Sequence, residues 1–154
     1  MSAIKVRRLG PKDVEHARAV NRFFAKEFDD PASYASLPPA NLYLERLLGR
    51  DETIVLIAEI ESELAGALVA YTLDKLEQER SEIYIYDLAV AVGLRRRGTA
   101  TALIERLKEI ARSIGAWVIY VQADYGDEPA IHLYEKLGAR EDVMHFDISP
   151  QATR

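Results

Sequence analysis

Apolar residues recur along this chain with two different periods, and each change of period marks a boundary between elements. Ile4 to Leu9 interleaves β-branched with basic residues, and Gly10-Pro11-Lys12-Asp13 then interrupts the run and offers caps, which predicts a strand followed by a turn. Val14, Ala17, Val20 and Phe24 fall at helical spacing, with Asn21, Arg22 and Lys26 on other faces, so a first helix runs to about Phe28. Glu27-Phe28-Asp29-Asp30-Pro31 and Ala32 to Pro39 carry neither period and read as an irregular loop, acidic at its entry. Leu44, Leu47 and Leu48 mark a short second helix that stops at Gly49.

Thr53 to Ile60 and Leu64 to Leu73 are β-rich runs separated by the polar stretch Glu61-Ser62-Glu63, which predicts antiparallel neighbours joined as a hairpin. Asp74 to Ser81 is charged and turn-like. Glu82 to Val90 then forms a long strand in which tyrosines alternate with isoleucines. After Ala91 to Leu94, the segment Arg95-Arg96-Arg97-Gly98-Thr99-Ala100 leads into a stripe of Leu103, Ile104, Leu107, Ile110, Ala111 and Ile114, with Gly115 as its stop. Trp117 to Ala123 is another strand, and Asp124 to Pro129 is the loop after it. Ala130, Ile131, Tyr134 and Leu137 mark a last helix ending at Gly138, with Pro129 suited to its first turn, and Val143 to Ile148 reads as a closing strand. The order β-α-α-β-β-β-α-β-α-β implies an α/β (α+β) fold, a mixed sheet with helices packed on it, in a single domain over residues 1–154.

Composition narrows the partners. With 20 Lys+Arg against 25 Asp+Glu the net charge is −5, which repels nucleic acid and anionic membrane and favours a cationic partner. The chain has no Cys, which removes disulfides, thiolate metal sites and a cysteine nucleophile. Met1 to Arg8 shows no apolar signal segment and no run approaches the ~20 residues that span a bilayer, so a cytoplasmic protein is expected. His16, His132 and His145 sit on separate elements without ligand spacing, and a metal site is not expected.

The chemistry concentrates where the strand ending at Val90 passes through the arginines into a helix. Such a junction collects unpaired N–H groups at the positive end of the helix dipole, and the guanidinium groups add charge-assisted donors for an anion such as phosphate. Gly98 allows close approach to the backbone, and Ala100 keeps the first turn small. The string lacks the Lys-Ser/Thr of a nucleotide triphosphate loop and the three glycines of a dinucleotide fingerprint. Standing alone it would equally serve as a basic loop capping a helix.

In context, Arg95-x-x-Gly98-x-Ala100 after a strand, followed by a helix, a strand and Ala130-x-x-Leu133-Tyr134-x-x-x-Gly138-Ala139, resembles the GNAT superfamily of acetyl-CoA dependent N-acetyltransferases. Glu82 to Val90, Gly115 to Asp127 and His145-Phe146-Asp147-Ile148 are similar, more narrowly, to the type I aminoglycoside 3-N-acetyltransferases, over about Phe24 to Pro150. The resemblance implies a mostly antiparallel sheet with helices on both faces, splayed at the coenzyme between the strands ending at Val90 and Ala123. It implies that Leu88, Ala89 and Val90 lend backbone bonds to the pantetheine arm, while Arg95, Arg96, Arg97, Gly98, Thr99, Ala100 and Thr101 hold the pyrophosphate.

Acetyl transfer to an amine needs a neutral amine and a proton for the departing thiolate. Tyr134 matches the tyrosine that the superfamily places at the coenzyme sulfur, though a helix-face aromatic also suits a core. Asp124 would accept the proton of the amine, or hold its ammonium, or merely cap the turn into Gly126; Glu82 is the second candidate acceptor. Asp29, Asp30, Glu82, Tyr84, Asp87, Asp124, Asp127 and Glu128 flank the expected acceptor side as a rim for a polycationic aminosugar. Tyr84, Tyr86, Tyr120 and Tyr125 form an aromatic stripe that the acidic balance assigns to sheet core and sugar contacts rather than to nucleic acid.

The expected function is acetyl transfer to the 3-amino group of a gentamicin-type aminoglycoside, giving resistance, in a homodimer by analogy with GNAT relatives. The same chemistry on a protein N-terminus, lysine or polyamine is the alternative. A non-catalytic coenzyme sensor is the third, and the presence of Tyr134 and Asp124 argues against it.

Overall fold

A computed structural model of the chain describes residues 2–152. Met1, Thr153 and Arg154, the ends of the expected domain, lie outside the described residues. The elements in chain order are β1 (Ile4–Arg8), α1 (Val14–Glu27), α2 (Pro31–Tyr34), α3 (Asn41–Leu48), β2 (Thr53–Ile60), β3 (Glu63–Asp74), β4 (Ser81–Val90), a 3₁₀ turn (Val92–Leu94), α4 (Thr99–Ile114), β5 (Ala116–Val121) and α5 (Glu128–Leu137). They group into two compact units, one reaching to Gln122 and one starting at Ala123.

In the first unit the described strands make one mixed sheet in the order β1-β2-β3-β4-β5. β1 to β4 pair antiparallel, and β5 runs parallel to β4 because α4 carries the chain back across the sheet. Between β2 and β3 the two loop residues Glu61 and Ser62 both adopt positive φ, 50° and 67°, a hairpin turn whose twist matches that of the strands.

Strand alternation gives the sheet two apolar faces. Val55, Ile57 and Ala67 pack with Ala17, Val20 and Phe24 of α1 and Leu44 and Leu48 of α3. The alternate residues Ile54, Leu56 and Ala58 point the other way and are fully buried, as are Leu103 and Leu107 of α4, which packs across the strands. Each such leucine contributes about 1.5–3 kcal/mol by leaving water. Gly98 starts α4 and Gly115 ends it, both left-handed at φ 82° and 74°.

In the second unit α5 begins with the Asp127 carboxylate accepting from the Ala130 amide at 3.4 Å and Pro129 in its first turn, and it stops at Gly138. Three expectations are corrected here. The loop Ala32 to Pro39 is not wholly irregular, because Asp30 caps and Pro31 initiates the short helix α2. The strand expected over Trp117 to Ala123 ends at Val121. The closing strand expected over Val143 to Ile148 is irregular backbone, with Met144, Phe146 and Ile148 73–89% exposed. Alternation prepares a segment to pleat, but only a ladder of backbone bonds makes a strand. The polar groups here bond locally instead, His145 to Asp147 at 2.8 Å and Arg140 to Asp142 at 2.9 Å.

Candidate functional site

β4 carries the first part of the site because its two edges differ in length. On one side it pairs with β3 along its whole course, including Leu88↔Leu68, Ala89↔Ala67 and Val90↔Gly66. On the other, pairing with β5 stops at Ile85↔Val121, so among the described residues Tyr86 to Val90 face no strand on that edge and the sheet splays open. The backbone groups there that point away from β3 are available to an extended ligand.

The chain then turns into α4. Arg96 takes a left-handed φ of 64° and Gly98 one of 82°, which brings the first turn of the helix round beside the end of β4. Among the described residues no side chain caps α4, and the first of its amides to bond back is Ala102, to the Gly98 carbonyl at 2.9 Å. The amides of Thr99, Ala100 and Thr101 therefore remain free for an anion. Thr99 is 2% exposed, and its hydroxyl is buried without a partner. Arg95, Arg96 and Arg97 are exposed with no carboxylate within ion-pair distance among the described residues; Arg95 Nε donates only a long 3.4 Å bond to the Val90 carbonyl. Unfilled amides, an orphaned buried hydroxyl and three unpaired guanidinium groups fit a diphosphate.

Asp87 is reached by a bulge. Val69 pairs with Asp87 and Ala70 with Ile85, which leaves Tyr86 as an extra residue. Strict alternation would have sent Asp87 to the face of Ile83 and Ile85, into the fully apolar packing under α4. The bulge turns it instead to the face of α1 and α3, where it lines a cavity of about 160 Å³ with Asn21, Tyr43, Tyr71 and Pro39. There the Tyr34 hydroxyl donates to Asp87. Burial pushes the Asp87 carboxyl above the ordinary carboxylate range, and the bond from Tyr34 pulls in the opposite direction without cancelling it. Burial and the neighbouring Asp87 in turn raise the Tyr34 hydroxyl. The Tyr34 ring is fixed by Phe24 and Phe28, with centroids 5.7 and 5.5 Å away.

Of the other acidic candidates in this unit, Glu82 and Asp30 have structural partners. Glu82 lies at the opposite end of β4 from Val90, and its carboxylate meets Lys75 at 3.6 Å. Asp30 accepts from the Ser33 amide at 3.1 Å and so caps α2, which delivers Tyr34. Asp29 is exposed at a left-handed turn with φ 50°. Tyr84 shares a face with Tyr71 and Tyr120 and donates to the Gln122 side chain at 2.8 Å. Tyr34, Tyr43 and Tyr71 were absent from the sequence-based set. The signal for Tyr34 was present in Asp30-Pro31, a cap and first-turn pair placed three residues ahead of it. Glu27 was also absent; it accepts from the Val92 amide at 3.2 Å and ties α1 to the loop that precedes the arginines.

The second unit holds the remaining residues. Asp124 is exposed and lines a cavity of about 370 Å³ with Tyr125, Asp142 and His145. Asp127 caps α5, and Glu128 meets His132 at 3.8 Å, one turn along the helix. Tyr125 belongs here rather than to the row around Tyr84, its hydroxyl 3.4 Å from Asp142. Tyr134 is half-buried on α5, and burial, with the charge of Asp127, pushes its hydroxyl up to about 12, so it holds its proton throughout the neutral range. Among the described residues no cluster of His, Asp and Glu is placed to bind a metal, and no helix is long and apolar enough to cross a membrane.

Comparison with known proteins places this geometry. The profile of the acetyltransferase (GNAT) family matches residues 17–139. An aminoglycoside acetyltransferase from an uncultured soil metagenomic sample, HMB0005, is 50% identical over 97% of this chain and 99% of its own, with a TM-score of 0.94. A second, meta-AAC0020, also from an uncultured soil metagenomic sample and solved in complex with sisomicin, is 28% identical over 96% of this chain and 97% of its own, with a TM-score of 0.88. The uncharacterized N-acetyltransferase YhfO of Bacillus subtilis (strain 168) is 33% identical over 131 residues, 82% of this chain and 85% of that protein.

Proposed function

Because the chain belongs to the GNAT family of acetyltransferases, we propose that it transfers the acetyl group of acetyl-CoA to the 3-amino group of a gentamicin-type aminoglycoside and so confers resistance. The observation that carries this reading is the 50% identity to an aminoglycoside acetyltransferase over nearly the whole of both chains. The sisomicin complex of the more distant relative supports the acceptor class.

Acetyl-CoA supplies the acetyl group as a thioester, and the residues of the chain hold it and manage protons. The amides of Thr99, Ala100 and Thr101, with Arg95, Arg96 and Arg97 and the turn at Gly98, bind the diphosphate; Leu88, Ala89 and Val90 align the pantetheine along the open edge of β4. With no cysteine to carry an acyl group, the acceptor amine attacks directly. Asp124 takes the proton that the amine loses or orients its ammonium, with Glu82 as the second acceptor. Tyr134 Oη, protonated at neutral pH, returns a proton to the thiolate. Asp29, Asp30, Tyr84, Asp87, Asp127 and Glu128 complete the acceptor rim. The reading extends to a cytoplasmic homodimer, checked by fractionation and sedimentation.

The test is to mix purified protein, acetyl-CoA and a panel of gentamicin, sisomicin, spermidine and an N-terminal peptide. Thiol release with a product mono-acetylated at the 3-amino group is expected for the drugs. Turnover of the peptide or spermidine alone would replace this acceptor by another amine.

A further inference from the structure

Six of the eight tyrosines in the chain form a group with Asp87 at one end. Tyr34 donates to Asp87, and Tyr43 and Tyr71 line the same cavity as Asp87. From Tyr71 a row of rings continues across the sheet: Tyr71 to Tyr86 at 6.1 Å, Tyr86 to Tyr84 at 5.6 Å and Tyr84 to Tyr120 at 4.7 Å, the last pair stacked at 5°. The bulge at Tyr86 produces this grouping, because it puts Tyr86 and Asp87 on one face.

Asp87 is held short of compensation. Its one hydrogen-bond donor among the described residues is the neutral Tyr34 hydroxyl, and no Lys, Arg or His lies within ion-pair distance. A half-buried carboxylate in that state gains most from an incoming cation. Tyr43 and Tyr71 line the same cavity, and an aromatic ring attracts the same charge at its face. The row is four rings long, more than a single saturated six-membered ring covers, and Tyr86 is 63% exposed, so the surface is open to a ligand.

We propose that the Tyr71–Tyr86–Tyr84–Tyr120 row and the Tyr34-held Asp87 form a specificity floor for the acceptor, seating one ammonium-bearing ring at Asp87 and laying further saturated rings along the tyrosines. The floor selects a polycationic oligosaccharide over a linear polyamine, because the exposed Tyr86 ring, set edge-to-face between Tyr71 and Tyr84 at 74° and 66°, offers more apolar contact to a saturated ring than to a single chain. This inference rests on the acceptor class proposed above and adds the residues that discriminate within it.

The experiment titrates sisomicin and spermidine into the full-length protein by calorimetry without acetyl-CoA, for wild type, Tyr86→Ala, Tyr86→Phe and Asp87→Asn. Sisomicin is expected to bind wild type at least tenfold more tightly than spermidine. Tyr86→Ala should weaken sisomicin by about fivefold to thirtyfold, the range of a desolvated ring–cation contact, and spermidine by a smaller factor. Tyr86→Phe should keep wild-type affinity, since the ring face and not the hydroxyl is invoked, and this variant also guards against a folding defect at the bulge. Asp87→Asn should lose at least tenfold. Unchanged sisomicin affinity in Tyr86→Ala, equal binding of the two amines, or no saturable sisomicin binding to wild type would overturn the floor. Tyrosine-dependent binding without acetylation of any drug would overturn the proposed reaction and leave the floor standing.

Discussion

Replacing Gly66 by alanine tests how the fold sets the position of the anion site. Gly66 lies on β3 beneath the start of α4, and a Cβ there would sit 2.9 Å from Thr99 Cγ2, 3.0 Å from the Ala89 carbonyl oxygen and 3.3 Å from Leu103 Cδ1. The carbonyl belongs to the β3–β4 ladder and cannot retreat without breaking it, and Leu103 is fully buried, so the helix start must give way. Overpacking of this kind costs about 1–3 kcal/mol, and the stiffer unfolded chain returns about 0.4–1 kcal/mol, leaving a net loss of roughly 1–2 kcal/mol. For a chain of this length that lowers Tm by about 2–8 °C. Thermal denaturation measures it, and calorimetry with acetyl-CoA should show weaker binding, since the displaced residue Thr99 carries one of the free amides. Thr99→Ser removes the methyl group at 2.9 Å and should restore part of both losses in the double variant. An unchanged Tm, or a double variant no better than Gly66→Ala alone, would refute the argument that this glycine seats the helix.

Arg96→Gly should move stability and function in opposite directions: relief of the left-handed φ of 64° raises stability by about 1 kcal/mol in urea titration, while loss of the guanidinium weakens acetyl-CoA binding several-fold. Asp87→Asn should show a pH signature. Because burial raises the Asp87 carboxyl in the folded state, the unfolded chain gives up that proton first, and ionisation costs the wild type stability as pH climbs from about 4 through the raised value. The urea midpoint of Asp87→Asn relative to wild type should therefore improve with rising pH and level off; a relative gain on acidification would contradict the burial. Tyr134→Phe should lower acetyl transfer about 100-fold with acetyl-CoA affinity unchanged, and wild-type kcat should show no loss from ionisation of Tyr134 below about pH 11.

The part of the site that local rules specify was legible in the chain. Gly98 and Gly115 bracket an unmistakable apolar stripe, and three arginines stand immediately before the helix start, whose first amides the structure leaves without a side-chain cap. What depends on pairing was not. The isoleucines and tyrosines of β4 alternate correctly, but Asp87 falls in the isoleucine phase, and only the mismatch with Val69 and Ala70 across the ladder reveals the bulge that moves it. Helix α2 escaped because four residues make too short a window for any period, although its Asp30-Pro31 start was written out. Val143 to Ile148 alternates as a strand would, yet forms none. Asp30 and Asp127, expected on the acceptor rim, also cap helices, a double use that composition does not separate.

The open edge of β4 ties the durability of this protein to its nutrition. Half a strand of bare peptide groups inside a sheet is a place where a neighbouring molecule can add on and start a polymer. A ligand seated along it closes that opportunity and stabilises the native form by mass action, about 2.7 kcal/mol at a hundredfold excess over its Kd. On the proposed reading that acetyl-CoA lies along this edge, a cell rich in it keeps the protein folded through heat stress longer than one depleted of it.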